Sequence, residues 1–215
     1  LLSKEEIFTS LWPELDLDTA GKNFKVSFNA LLKALEPKRK AREESFFIIR
    51  KGSYYGLNPE SGYELDIHNF ETLIAKGLEE EEAKKAKELL EKGLTLYRGG
   101  YLEDLRYTTW CESERERLQT LFLRGSERLA QVNVRILDFH ATIKLCEKII
   151  SVDPTWEEAY RLLMYSYYHL NNRPQAIKWY EKCCHVLDEE LGVEPMAPTR
   201  EMYDLIIESE ELSSY

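Results

Sequence analysis

The chain has 215 residues, with 29 basic and 39 acidic side chains and a net charge of −10 at pH 7. Its 43% hydrophobic and 32% charged content marks it as globular rather than disordered. No run approaches the roughly 18 uninterrupted apolar residues of a membrane span, nothing at the start reads as a signal peptide, and so acidic a total argues against a nucleic-acid partner because phosphates repel it.

The length allows one large domain or two small ones. The first residue is Leu1 rather than Met, which predicts a piece of a longer polypeptide. Four cysteines without a paired spacing suit a reducing compartment, so the expected location is the cytoplasm. The charge is unevenly spread. Residues 19–57 hold nine bases against three acids, whereas residues 58–215 carry twelve more acids than bases. A basic block therefore precedes an acidic body.

Ser3 opens a capping-box pattern with Glu6 three residues on, followed by Ile7, Phe8 and Leu11, which predicts a first helix ended by Pro13. An acidic loop, Glu14 to Asp18, leads to a second helix from about Ala20 to Leu35, closed by Pro37. At about 100° per residue, Phe24, Phe28, Leu31 and Leu35 form its core stripe, and Lys22, Lys25, Val26, Asn29 and Lys33 lie on the other side. Lys38 to Glu44 is a charged connector. The period then changes: Phe46 to Ile49 reads as a strand, Lys51-Gly52-Ser53 as a turn, Tyr54 to Leu57 as the returning strand, and Tyr63 to Leu65 as a short third strand. Helix, loop, helix, hairpin is the order of a winged helix.

After Asp66 the pattern is helical almost to the end. The pairs Glu80–Lys84, Glu81–Lys85 and Glu88–Lys92 make Glu79 to Lys92 a solvated helix face. Gly99-Gly100 breaks the pattern, which resumes through Trp110 to Leu129, Ile136 to Val152, Glu157 to Leu170 and Pro174 to Leu187. TIKLCEK (Thr142 to Lys148) and AIKWYEK (Ala176 to Lys182) lie 34 residues apart, the period of tetratricopeptide (TPR) helix pairs. Asp153-Pro154 ends the first unit, and Tyr160, Leu163, Tyr167, Ala176 and Tyr180 take the packing positions of the second. The helices before Thr142 are expected to be divergent members of the same stack. The fold class is mainly α: a winged helix-turn-helix with a small hairpin wing, then TPR-like helical repeats.

A solvent-facing row of Lys and Asn with one apolar residue inside it suits groove reading. Lysine meets phosphates or guanine, asparagine pairs with adenine, and valine touches a thymine methyl. Arg50 and Lys51, beside Gly52 at the hairpin tip, add a wing for the backbone or an adjacent minor groove. Double-stranded DNA is the partner this pattern predicts. Other constellations predict little. Cys183-Cys184-His185 lacks a second ligand pair at zinc spacing, and Cys183 and Cys146 fall at packing positions. His140 and His169 stand without a nucleophile, and no phosphate loop, HExxH or nucleophile elbow occurs. No enzyme, metal or cofactor is expected. Trp156, Trp179 and the tyrosines 160, 165, 167 and 168 read as core, with Tyr165, Tyr168 and Trp179 as candidates to line a concave groove.

On LLSKEEIFTSLWPE, NALLKALEP, the hairpin and LDIHNFE, residues 1–70 resemble the OmpR/PhoB-type winged helix. The likeness begins at that family's second helix, its N-terminal sheet and first helix having no counterpart here. Residues 71–215 resemble the bacterial transcriptional activator domain of antibiotic-regulatory (SARP-type) activators. The matching residues are Tyr97-Arg98-Gly99-Gly100-Tyr101-Leu102, Trp110 with Glu114-Arg115, Glu157-Glu158-Ala159-Tyr160, Met164, Leu170 to Ala176, and LDEELGVEPMAPT (Leu187 to Thr199). The resemblance implies a transcription activator with the helix 20–35 as its recognition helix. It also implies dimerisation or signal coupling by the helical part, a possible homodimer, and a contact with RNA polymerase through Glu14, Asp16 and Asp18. The rival reading is a TPR-type protein-interaction scaffold whose winged helix is degenerate and binds no DNA. A degenerate copy need not keep the lysine face.

Overall fold

The computed structural model describes residues 1–40, 43–105 and 108–208, so residues 41 and 42 of the charged connector lie outside the described part. The chain divides into two compact units, Leu1–Leu65 with Tyr107–Glu112, and Asp66–Arg106 with Ser113–Tyr215.

The first unit begins with β1 (Leu2–Ser3) and α1 (Lys4–Leu11). Ser3 forms the full capping box: its hydroxyl accepts from the Glu6 backbone N–H at 3.2 Å, and its own N–H donates to the Glu6 carboxylate at 2.7 Å. After the turn at Pro13 comes α2 (Leu17–Leu35), then the hairpin strands β2 (Ile48–Lys51) and β3 (Tyr54–Leu57). The sheet is antiparallel in the order β1-β3-β2, with Leu2 opposite Tyr55 and Arg50 opposite Tyr55 on its other side. Its third strand is thus β1, at the chain start. The expected strand at Tyr63 to Leu65 is irregular backbone, because Asn58 caps a short 3₁₀ turn (Pro59–Ser61) and Gly62 turns the chain at φ 66°. Phe46 and Phe47 precede β2 instead of belonging to it.

Two corrections concern α2. It starts three residues before the expected Ala20, because Asp16 serves as its N-cap. Its buried side is Ala20, Phe24 and Leu32 with Phe28 half-buried, whereas Leu31 and Leu35 are exposed. The packed stripe runs in steps of four residues, and at 3.6 residues per turn such a row drifts around the helix. Phe24 meets Phe8 at 5.6 Å between ring centroids and Tyr55 edge-on at 5.1 Å, so α1, α2 and the sheet share one aromatic cluster.

The second unit is helical: α3 (Asp66–Glu79), α4 (Ala83–Leu94), α5 (Glu112–Arg135), α6 (Phe139–Val152), α7 (Glu157–His169), α8 (Arg173–Leu191) and α9 (Ala197–Glu208). Glu80 lies between α3 and α4 and bonds Lys85 at 2.6 Å, not Lys84. The predicted helix from Ile136 to Val152 starts instead at Phe139, after a turn. The 34-residue period governs that turn. Asp138 N–H donates to the Asn133 carbonyl at 2.8 Å and Leu137 N–H to that of Val134 at 3.0 Å; Asn172 and Asn171 make the same pair to Tyr167 and Tyr168 at 2.9 and 3.0 Å. Asp138 and Asn172 then cap α6 and α8, accepting from Ala141 and Gln175. The repeat therefore includes α5, with α5–α6 and α7–α8 as equivalent pairs. Tyr160, Leu163 and Ala176 are fully buried as expected, and Tyr167 and Tyr180 partly so.

A preceding repeat is replaced by the α3–α4 hairpin. Where α7 has Ala159-Tyr160, the equivalent place on α5 has Gly125-Ser126. That opening admits Ile74, fully buried, whose Cδ1 lies 2.9 Å from where a Cβ on Gly125 would be and 2.8 Å from where one on Gly93 would be. Ile74 is a wedge seated on two glycines.

Candidate nucleic-acid interface

The Asp16 carboxylate accepts from the Asp18 and Thr19 backbone N–H groups at 3.0 Å each and from the Thr19 hydroxyl at 2.7 Å. These bonds, that of the Thr19 backbone foremost, hold Asp16 below the usual carboxylate range. With the opposite face on the aromatic cluster, α2 leaves Lys22, Lys25, Val26, Asn29 and Lys33 exposed, Val26 at 72%. They occupy about three turns, some 16 Å of helix, and no carboxylate lies within 4 Å of the four polar ones in an ion pair among the described residues. A protruding valine between unpaired cations and an amide is the donor and methyl-contact set that a major-groove surface requires.

The helix exit fixes the hairpin. Glu36 ends α2, and its carboxylate accepts from the Ser45 hydroxyl at 2.5 Å and the Phe46 N–H at 2.8 Å; these two bonds, with Arg39 at 3.8 Å, lower its pKa. The two-residue turn Gly52-Ser53 follows β2, Gly52 taking φ 63°, which a side chain tolerates poorly. Its tip is anchored too: Lys4 N–H donates to the Ser53 carbonyl at 3.0 Å.

Arg50 and Lys51 sit beside the turn but point to opposite faces of the hairpin. Arg50 shares its face with buried Tyr55, its guanidinium 5.6 Å from that ring and its Nε donating to the Gly52 carbonyl at 3.0 Å; Lys51 stands opposite exposed Tyr54. The strand period of two makes this separation inevitable for neighbouring residues. Lys4 joins Arg50, its Nζ 6.0 Å from the Tyr55 ring. That residue escapes sequence reasoning, although a cation in a first helical turn, where the dipole favours acids, is a signal. Lys38 and Lys40, just beyond α2, are exposed as well. At the start of α2, Asp16 is committed to the cap, while Glu14 in the loop before it and Asp18 in its first turn are exposed.

Residues 65–207 match the bacterial transcriptional activator domain family. The chain belongs to that family. Among curated proteins it is 30% identical over 157 residues to the transcriptional regulator RedD of Streptomyces coelicolor, the match covering 66% of this chain and 41% of RedD. It is 29% identical over 118 residues to the transcriptional regulatory protein MoaR1 of Mycobacterium tuberculosis, covering 55% of this chain and 38% of MoaR1. The chain thus spans about two fifths of the length of the curated relatives it matches. Among solved structures, Mycobacterium tuberculosis EmbR in complex with a low-affinity phosphopeptide superimposes with a TM-score of 0.79 at 19% identity, over 97% of this chain and 55% of that one. The Hsp90 co-chaperone Cns1 of Saccharomyces cerevisiae superimposes with a TM-score of 0.54 at 17% identity, over 69% of this chain and 41% of that one. Both likenesses are of fold. No helix among the described residues is long and apolar enough to cross a membrane, and no three His, Cys, Asp or Glu side chains among them are grouped to hold a metal ion.

Proposed function

We propose that the protein is a DNA-binding transcription regulator, acting as an activator in the cytoplasm. Residues 1–70 form the winged-helix domain of OmpR/PhoB type and 71–215 the activator domain, which serves dimerisation or signal coupling and performs no enzymatic chemistry. The observation that carries this reading is the exposed, unpaired row Lys22, Lys25, Val26, Asn29 and Lys33 on a helix whose other face is locked by aromatic packing. The hairpin beside it supplies Lys51 to a backbone phosphate, with Arg50 and Lys4 on its second face. Membership of a family whose relatives are named transcriptional regulators supports the same reading. RNA polymerase is the further partner, met through Glu14 and Asp18; Asp16 shapes that loop by capping α2.

Fluorescence anisotropy with labelled duplexes at several salt concentrations tests it. Affinity falls steeply with salt, and Lys22→Ala and Lys33→Ala each reduce the logarithmic slope by about one, the share of a single neutralised phosphate. Asn29→Ala instead relaxes base preference at one position with little change in slope. Binding indifferent to salt and to both lysines would favour the scaffold reading.

A further inference from the structure

The segment after α4, residues 96–105, has no regular structure beyond the short 3₁₀ turn Glu103–Leu105, yet it is firmly held. Arg115 of α5 donates to the Tyr101 carbonyl at 3.0 Å and to the Leu105 carbonyl at 3.2 Å. The Tyr97 ring stacks on Phe122 with centroids 4.4 Å apart, and lies 5.8 Å from Phe70 of α3. Leu102 takes φ 49°, a conformation that a bulky side chain keeps only where its surroundings impose it. Between this segment, the start of α3 and α5 is a cavity of about 390 Å³, within the roughly 300–1,000 Å³ of small-molecule sites. Ile67, Phe70 and Leu118 give it apolar walls.

Three polar residues line the same cavity with hydrogen-bonding capacity to spare among the described residues. Arg98 is exposed and makes neither an ion pair nor a hydrogen bond there, whereas Arg115 and Arg117 of the same unit are engaged. Asp66 accepts from the Ile67 N–H at 2.9 Å with one carboxylate oxygen, and the other oxygen has no such partner. The Tyr97 hydroxyl makes no hydrogen bond; burial, and after it the Glu103 carboxylate, push its pKa above the ordinary value, so it remains a donor. Arg98 and Asp66 thus carry opposite charges on one cavity without pairing with each other. A purely anionic ligand meets Asp66 unfavourably, and a purely cationic one meets Arg98. We propose that this cavity binds a small zwitterion with an apolar body, its carboxylate on Arg98, its ammonium on Asp66 and its apolar part on Ile67, Phe70 and Leu118. Free apolar amino acids and apolar dipeptides share this chemistry and differ in the spacing of their charges. The site lies in the unit for which signal coupling is proposed above, but its occupancy is independent of DNA binding by α2, and the test contains no DNA.

Isothermal titration calorimetry on the full chain tests it, with free leucine, free phenylalanine and the dipeptides of the two as probes. Each is compared with its N-acetyl form, which lacks the ammonium, and its C-terminal amide, which lacks the carboxylate. At least one zwitterion is expected to bind with a dissociation constant below about 1 mM, the range open to so small a ligand. Both blocked forms bind about tenfold or more weakly, the share of one charge-assisted hydrogen bond. Whether the amino acids or the dipeptides bind distinguishes the two sources. Arg98→Gln removes the preference over the amide and keeps that over the N-acetyl form; Asp66→Asn does the reverse. A merely structural role for either residue would weaken all ligands alike. Lys178→Gln, on α8, leaves every affinity within about twofold. Three results would overturn the proposal: no binding of any zwitterion up to about 5 mM, equal affinity for a blocked form, or preferences that neither substitution alters.

Discussion

The seating of Ile74 on two glycines can be tested quantitatively. Its Cδ1 would lie 2.9 Å, and its Cγ2 3.0 Å, from a Cβ at position 125. Ordinary carbon contacts need about 3.5–4.0 Å, so Gly125→Ala asks Ile74 to retreat by more than half an ångström. It has little room to do so, because the residue is fully buried and the same Cδ1 already lies over Gly93, 2.8 Å from where a Cβ there would stand. Overpacking of this kind costs about 1–3 kcal/mol, and the better helix propensity of alanine returns about 1. Gly125→Ala should therefore destabilise the helical unit by up to about 2 kcal/mol. Ile74→Val removes the offending Cδ1 and by itself costs about 0.5–1.5 kcal/mol. Combined, the two should cost less than their sum, by about 1 kcal/mol. Urea unfolding followed by far-ultraviolet circular dichroism reads each variant, provided the slopes agree. Additivity within about 0.3 kcal/mol, or a stabilising Gly125→Ala, would refute the wedge.

Leu137 ends α5 at φ 61° and is 71% exposed, while its repeat counterpart Asn171 takes φ 57°. Leu137→Gly should raise stability by about 1 kcal/mol and Asn171→Leu lower it by a similar amount in the same urea titration. Burial pushes the thiols of Cys146 and Cys183 up to about 12, from an ordinary value near 9. The folded state thus holds these protons more tightly than the unfolded one, so their contribution to stability is complete below pH 9 and is lost as pH rises from there toward 12. A thiol reagent at pH 8 should label Cys184, which is half-buried, well before either of them by mass spectrometry of the native protein. Asp16→Ala removes the cap of α2 and should lower the stability of the first unit by about 1 kcal/mol, seen as a lower midpoint in the fluorescence of Trp12, the residue that ends α1.

Much of this arrangement is legible in the residues because local chemistry decides it. The capping box at Ser3 and Glu6 and the turn at Lys51-Gly52-Ser53 form where their sequence places them. The 34-residue spacing is copied into backbone hydrogen bonds at Leu137 and Asn171. The exposed row on α2 follows from periodicity alone. What escapes is what the rest of the fold imposes. A two-residue strand such as Leu2–Ser3 has no pattern of its own, and only its partner Tyr55 makes it a strand. Leu31 lies on the arithmetic stripe, yet Leu32 is the residue packed. Helix α9 follows a segment rich in turn residues. Its ends are held by distant groups: Glu157 accepts from Met196 N–H at 2.8 Å, and Arg173 donates to the Ile206 carbonyl at 2.8 Å.

The anchoring of the hairpin turn to Lys4 makes the first unit a single lever. Ser3 is at once a rung of the sheet and the cap of α1, and the next residue ties the turn to that helix. Phe8 of α1 bears on Phe24 of α2. The loop at Gly52 and Ser53 is therefore tied to α2 twice, through Lys4 and Phe8 of α1 and through Tyr55 of β3 against Phe24. The turn and the lysine row keep one spacing, like two teeth of a key, and a surface that engages both must present that spacing ready-made.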